Sequence, residues 1–368
     1  LPLAKGDLIG HAFAMVGRVY IANTGGTIGM KRKGHGYSPE PGFLQELLSE
    51  MPELKRPELP KYDLHELDPL LDSANMNPSH WAAIAEDIVK NYDSYDGFLI
   101  LHGTDTMAYT AAALSFMLEN LGKPVILTGS QIPLCEIRND ARENLIDALM
   151  IAARFPIPEV CIAFQGKLLR GNRSVKVTAD GLDAFASPNY PPLARGGLDI
   201  QVAWSRVRTP PDSPLRLRAF SEARVAALRL FPGIQPDLLS HILKPPLQGL
   251  VLECYGVGNA PEDPAFLAPI REATDRGVVV VVCSQCLQGR VRLDGYATGA
   301  GLAASGAIGA HDMNVETALP KLFYLFAQGL SPDAVKHAMQ QDLRGELTPF
   351  DPSPSRRPSS PSFPSDLL

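Results

Sequence analysis

Cysteine and tryptophan are scarce in this chain, five and two among 368 residues. Cys135, Cys161, Cys254, Cys283 and Cys286 are too few for a disulfide framework and odd in number, so reduced thiols are expected. Cys283 and Cys286 form a C-x-x-C, but no second pair and no nearby histidines complete a zinc or redox site. Structural thiols after a buried strand are the simpler reading; no metal and no cofactor are expected. No apolar run approaches the ~20 residues of a membrane span. Basic residues are not in excess: 34 Lys and Arg against 40 Asp and Glu give a net charge of −6. That balance offers no footprint for nucleic acid or an anionic membrane. The glycine-rich TGGTIG lacks G-x-G-x-x-G spacing, and no G-x-x-x-x-G-K-[ST] occurs, which argues against a nucleotide-binding module. The opening LPLAKGDLIGHAFAMVG lacks a basic n-region and is broken by Lys5, Gly6, Asp7 and Gly10, so it does not read as a secretory leader. Residues 1–14 are expected to be an upstream extension, and a cytoplasmic location is predicted.

What is present is an ordinary globular composition, 45% apolar and 20% charged, at a length comfortable for two domains. The chain is organised around residues 96–121, DGFLILHGTDTMAYTAAALSFMLENL. A short apolar run, residues 98–101, predicts a buried strand; it breaks at His102-Gly103 and resumes as an apolar helix. Thr104, Asp105 and Thr106 fall at the join, where they are suited to cap the helix and where ligands bind in open α/β sheets. A capped helix alone would explain them. A second strand, residues 18–24, also ends in a threonine, Thr24, beside the turn Gly25-Gly26. A third stretch, RGNRSVKVTAD at 170–180, carries Lys176 between apolar residues. A lysine acts as a base only when neutral, which desolvation favours and a neighbouring carboxylate opposes. On residues alone, Thr24 and Thr104 are both candidate nucleophiles.

NTGGTIGM (23–30), LHGTDTMAYTA (101–111) and GNRSVKVTADG (171–181) together resemble the bacterial-type L-asparaginase family, and most closely its type I, cytoplasmic branch. The resemblance continues through LDSANM (71–76), ENLGKPVILTGSQIP (119–133), FASPN (185–189), ECYGVGNAP (253–261), GYATG (295–299) and DLRGELTP (342–349). It implies hydrolysis of L-asparagine to aspartate and ammonia. In that scheme Thr24 forms the acyl-enzyme, and Thr104, Lys176 and Asp105 make a second triad that activates water or relays protons. It further implies that Asp105 holds the substrate α-amino group and that Ser73 binds the α-carboxylate. Tyr37, on a glycine-rich lid within residues 31–41, would approach the nucleophile. Tyr296 matches a functional tyrosine of mammalian-type relatives. The fold implied is α/β: a large N-terminal domain with a mostly parallel mixed sheet and a smaller C-terminal flavodoxin-like parallel-sheet domain. Homodimers or homotetramers are implied, with sites completed by a neighbouring subunit near residues 255–259. Some type I members are switched on by asparagine at a second site. There an arginine aligns with Glu253 and a threonine with Val175, Cys286 alone fitting, so cooperativity is expected to be weak or absent.

The alternation of strand and helix signals argues independently for parallel sheets covered on both faces. The predicted organisation is residues 15–208, a proline-rich linker at 209–223, a second α/β unit at 224–349, and a disordered Pro/Ser-rich tail at 350–368. A helix at 315–328 is expected to kink or start late because of Pro320. Competing readings are a glutaminase-asparaginase, the amidase part of a transfer-RNA amidotransferase, and a non-catalytic amino-acid binding module. The last would need neither Thr24 nor Lys176.

Overall fold

In the computed structural model, which describes residues 17–34, 36–220, 222–293 and 297–349, Gly97–Leu101 is buried at every position. A strand with no solvent-facing side must be covered on both faces, which is why its sequence is a continuous apolar run. It is the third of eight strands in a large sheet: β1 Arg18–Gly25, β2 Lys61–Leu71, β3 Gly97–Leu101, β4 Val125–Thr128, β5 Val160–Phe164, β6 Lys167–Arg170, β7 Ala194–Arg195 and β8 Gln201–Val202. The spatial order is β8-β7-β6-β5-β4-β3-β1-β2. From β2 to β5 every pairing is parallel; β6, β7 and β8 add antiparallel edge pairings. The parallel part therefore runs 2-1-3-4-5, and its order reverses between β1 and β3. Such a switch point opens a crevice at the carboxyl ends of the strands.

Alternate residues point to opposite faces, and the two cores show it. Tyr20, Ala22, Phe98, Ile100, Val125 and Leu127 face helices α2 (Pro78–Asn91) and α3 (Met107–Met117). Val19, Ile21, Leu99, Leu101 and Ile126 face α1 (Phe43–Glu50) and α4 (Ala141–Arg154). Helix α2 starts at the expected Asn77-Pro78 signal: the Asn77 side chain accepts from the Ser79 and His80 amides. Nearly every residue of α3 is buried. A helix apolar all round needs cover on all sides, and here that cover comes from the sheet, α2 and a helix of the second unit.

The second unit has a four-stranded, wholly parallel sheet in sequential order, β9 Val225–Arg229, β10 Gly249–Cys254, β11 Val279–Ser284 and β12 Ile308–Gly309. Its helices are α5 Pro236–Ile242, α6 Pro264–Asp275, α7 Ala297–Ala304, α8 Val315–Phe326 and α9 Pro332–Met339. Helix α8 packs on α3 and so joins the units. It runs from Val315 straight through Pro320, so the late start is not adopted. The linker is not featureless: Arg216–Leu217 pairs antiparallel with Leu118–Glu119 at the end of α3. Met30–Lys33 and Gly36–Pro39 form an exposed hairpin where the sequence suggested a loop. Residues 1–14, residues 350–368 and Tyr296 lie outside the described residues. Among the described residues, no helix is long and apolar enough to cross a membrane.

Buried charge fastens the last described segment to the first unit. Arg173 pairs with Asp312 at 3.0 Å and donates to the Glu346 carbonyl at 2.7 Å. Arg170 donates to the Gly345 carbonyl at 3.3 Å, and Asn172 Nδ2 to that of Arg344 at 3.0 Å. Glu346 itself pairs with Lys321 at 2.5 Å, both side chains wholly buried. Removing one partner of such a pair would strand the other charge.

Glu316, in the first turn of α8, is a partly buried carboxyl at the junction. Burial, helped by the charge of Glu253, pushes its pKa from 4.5 up to about 7. An acid whose folded pKa is raised favours the fold while protonated. That contribution is complete below the unfolded value and is lost as pH rises through the folded one. Between pH 5 and pH 8 wild-type stability should therefore fall, relative to Glu316→Gln, by about 2 to 3 kcal/mol. Urea unfolding of both proteins at the two pH values checks this, and a pH-independent difference between them would contradict it.

Candidate active site

Three glycines allow the strand ends at the switch point to meet. Gly25 and Gly26 have φ of 109° and 84°, conformations that L side chains rarely adopt. A Cβ on Gly25 would lie 2.2 Å from the Leu71 carbonyl oxygen, and one on Gly26 would lie 2.3 Å from the Gly103 nitrogen. A Cβ on Gly103 would fall 2.5 Å from Ser73 Oγ. The turns after β1 and β3 therefore touch through backbone, with Ser73 against them from the segment after β2. The β1–β2 register also jumps, from Asn23 opposite Glu66 to Gly25 opposite Leu71. Thr24 occupies the jump, the kind of irregularity that re-aims a side chain.

Thr24 is 1% exposed, and its Oγ1 donates to the Leu101 carbonyl at 2.9 Å. Thr104 lies just beyond β3, also buried. Lys176 reaches it from a two-residue strand, Val175–Lys176, that pairs with Phe185–Ala186. The Lys176 Nζ stands 2.8 Å from Thr104 Oγ1 and 2.8 Å from Asp105 Oδ1. The amine side chain is 18% exposed and the carboxylate 65%, so the pair opens to solvent on the Asp105 side. Thus Thr104, Asp105 and Lys176 are in direct contact, while Thr24 reaches the same rim on the adjoining strand with its hydroxyl bonded to backbone. Ser73 is 3% exposed, and its carbonyl accepts the Thr106 hydroxyl at 2.8 Å.

The threonines do not cap α3 as expected. Thr106 holds the N-cap position, and no side-chain cap bond forms; its hydroxyl is taken by Ser73, and that of Thr104 faces Lys176 and Gln131. The first-turn amides are left for a ligand, at the positive end of the helix dipole. Tyr37 sits on the exposed hairpin and donates to Glu136 Oε1 at 2.6 Å, a bond that raises the phenol pKa.

Three participants were not singled out from the sequence, although Gln131 and His102 lie within the matched stretches 119–133 and 101–111. Gln131 accepts the Thr104 hydroxyl at 2.9 Å and donates through Nε2 to the carbonyls of Ala179 and Gly181, both at 3.1 Å. It thereby ties the turn after β4 to the loop beyond Lys176. Asp140 anchors Gln131 by accepting its amide at 3.0 Å. His102 is wholly buried, with Nδ1 at 2.7 Å from the Gly103 carbonyl and Nε2 at 2.9 Å from the Thr110 hydroxyl, which also accepts from Trp81. Burial pushes its pKa down to about 4. A neutral ring donating from Nδ1 and accepting at Nε2 satisfies both bonds and fixes the turn. Among the described residues, no group of three or more His, Cys, Asp or Glu is placed to hold a metal ion.

The arrangement is a hydroxyl–amine–carboxylate cluster beside a second buried hydroxyl, equipped for nucleophilic attack and proton transfer. Residues 18–208 match the family model "Asparaginase, N-terminal", and residues 224–339 match "Glutaminase/Asparaginase C-terminal domain". L-asparaginase 1 of Escherichia coli K12 is 53% identical over 337 residues, covering 90% of this chain and 98% of that protein. The crystal structure of L-asparaginase I from Vibrio cholerae superposes with a TM-score of 0.84 at 49% identity, covering 90% of this chain and 99% of the other. The L-asparaginase of Thermococcus kodakarensis gives 0.82 at 32% identity, over 90% and 100%. With both halves matched in order and the switch-point cluster in place, the chain belongs to the bacterial-type L-asparaginase family, in its type I branch.

Proposed function

We propose that the protein hydrolyses L-asparagine to L-aspartate and ammonia, with Thr24 as nucleophile and Thr104, Lys176 and Asp105 as the group that moves protons. The observation that carries this reading is the Lys176 amine, 2.8 Å from a buried hydroxyl and from a carboxylate at the rim where β1 and β3 end. In the proposed step the Thr24 oxygen bonds to the side-chain carbonyl carbon and its proton passes to the departing nitrogen. The C–N bond breaks, ammonia leaves, and a threonyl ester remains. Water, its proton drawn toward the Thr104–Lys176 pair, then cleaves the ester and restores the Thr24 hydroxyl. The uncapped first turn of α3 suits the negative charge that develops on the carbonyl oxygen.

Asp105 gives Oδ1 to Lys176, leaving Oδ2 for the substrate ammonium. Ser73, pressed against Gly103, is assigned to the α-carboxylate. Tyr37 is assigned to the approach to Thr24, for which its bond to Glu136 must be exchanged. We further assign the two units to residues 15–208 and 224–349, the active form to a homodimer or homotetramer completed near residues 255–259, and the location to the cytoplasm. Tyr296 is kept as a further site residue.

Glu253 lies 3.7 Å from Arg229 as an ion pair. A carboxylate there repels the carboxylate of a second asparagine, so the reading includes no activation of that kind.

Thr24→Val and Lys176→Met should each lower kcat/KM on asparagine by about a thousandfold or more, measured as ammonia release; full activity in both would remove the proposed nucleophile and base. Gln131→Leu should cost about ten- to a hundredfold in kcat, the effect of losing one hydrogen bond to a charged or buried partner. Wild-type-like turnover in that variant would show that Thr104 needs no such support. Rates on asparagine and glutamine over a wide concentration range should favour asparagine and be hyperbolic. A sigmoidal curve abolished by altering Glu253 would overturn the account of regulation.

A further inference from the structure

The turn that presents Thr24 is built where β1 leaves its ladder. Asn23 stands opposite Glu66 on β2 and Gly25 opposite Leu71, so residues 67–70 of β2 have only Thr24 facing them in the register. On the other side the register with β3 ends at Asn23 opposite Leu101. Backbone groups that leave a ladder need other partners. A side chain supplies one: Asn23 Oδ1 accepts the Gly25 amide at 3.0 Å, bridging over Thr24. Asparagine fixes turns in this way, by holding the backbone two residues on.

Asn23 is 1% exposed, so the NH2 of its side chain needs an acceptor of its own. That acceptor is Glu66, whose Oε1 takes Nδ2 at 3.0 Å. A carboxylate only accepts, so it decides which way the amide faces. Turned over, Asn23 would set its oxygen against Glu66 and its NH2 against the Gly25 N–H, and both contacts would be repulsive. The second carboxylate oxygen, Oε2, accepts the Gly42 amide at 2.7 Å. Gly42, at φ 77°, immediately precedes α1 and follows the hairpin that carries Tyr37. One half-buried carboxylate therefore ties the turn of Thr24 to the exit of that hairpin.

We propose that Glu66 is a positioning residue for the asparaginase reaction. Through Asn23 it fixes the backbone on both sides of Thr24, and through Gly42 it fixes where the Tyr37 hairpin ends. The proposal rests on the reading of Thr24 as nucleophile. In that reading Ser73 and Asp105 hold the substrate and the Lys176 group moves protons, so Glu66 touches no reacting atom.

What Glu66 supplies is aim. Thr24 Oγ1 is bonded to the Leu101 carbonyl, and attack needs the same oxygen in a fixed place once that bond is given up. Two glycines follow Thr24, at φ of 109° and 84°, and glycine resists rotation least of all residues. Without the Asn23 bridge the turn can swing and spread the hydroxyl over several positions. Misplacement by about 1 Å can cost on the order of a hundredfold in rate. The loss falls on kcat, because the groups that bind asparagine are elsewhere.

The test is steady-state ammonia release by the full chain carrying Glu66→Leu, Asn23→Asp, or Asn23→Asp together with Glu66→Gln. Leucine strands the buried Asn23 amide, and aspartate sets two carboxylates face to face. Each single variant should lower kcat about tenfold or more, the effect of one hydrogen bond to a charged group, with KM within about twofold of wild type. The double variant exchanges donor and acceptor. Its glutamine donates to the new aspartate, which still accepts the Gly25 amide, and the glutamine oxygen still accepts from Gly42. It should recover most of the lost kcat, a coupling that independent side chains do not show. Should Asn23→Asp fail to fold by circular dichroism, Glu66→Leu decides through its division between kcat and KM. Wild-type kcat in Glu66→Leu, a loss confined to KM, or a double variant no faster than Asn23→Asp would each overturn the proposal. Thr24→Val tells the two levels apart: inactivity there beside unimpaired Glu66 variants removes the positioning role and leaves the nucleophile, whereas full activity there removes both.

Discussion

The contact between Gly26 and Gly103 is the constraint on which the site depends. Two turns 77 residues apart in the chain, Gly26 and Gly103, approach until no Cβ fits between them, and Ser73 closes on the second turn from the segment after a third strand. Parallel pairing alone would align the strand ends without bringing them into contact. Glycine removes the side chains that would hold them apart, and Thr24 sits at the register jump with its hydroxyl bonded to the Leu101 carbonyl of the adjoining strand. Everything polar at the rim is then arranged around backbone that is already fixed. His102 and Thr110 lock the second turn from beneath, in a fully buried hydrogen-bond chain with Trp81. Such a chain rigidifies only when every member is satisfied, and a neutral imidazole achieves that.

Lys176 sits differently. It stands on a strand of two residues, and its position follows from what surrounds it: Phe185–Ala186 on one side, and Gln131 gripping the Ala179 and Gly181 carbonyls beyond. The amine is placed by a network, whereas the hydroxyls are placed by the sheet. Its contact with a half-open carboxylate leaves the cluster dry on the Thr104 side and wet on the Asp105 side. An incoming amino acid meets charge first and the buried hydroxyls afterwards.

Much of this was legible in the chain. The runs at 18–24 and 98–101 announced strands through their apolar stretches, residues 19–22 and 98–101, and the glycines after each marked where the backbone turns. The order of motifs brought Thr104, Asp105 and Lys176 together on paper, and the coordinates bring them within hydrogen-bond reach. What could not be read was set by partners distant in sequence. Thr106 has good capping chemistry, but the Ser73 carbonyl captures its hydroxyl. Gln131 is neutral and unremarkable until Thr104 is seen 2.9 Å away. The edge pairings of β7 and β8 involve two residues each, too few for any periodicity. Lys31 to Pro41 looked like a loop because it is polar, basic and glycine-rich, a composition that an exposed hairpin shares. Pro320 suggested a kink or a late start, and α8 does not start late.

The stitching of residues 344–348 onto Arg170, Asn172 and Arg173 has a temporal meaning. Each of those bonds spans more than 170 positions of sequence. On the ribosome, at roughly 5–20 residues per second, these side chains are made about 10 to 35 s before the carbonyls and hydroxyl that cap them. Arg170 already has Glu159 from the same half, but Arg173 must wait for Asp312, 139 positions on, and then for the last segment. The nascent N-terminal half can assemble its sheet early, yet the strip beside Lys176 takes its last hydrogen bonds only when the end of this segment has emerged.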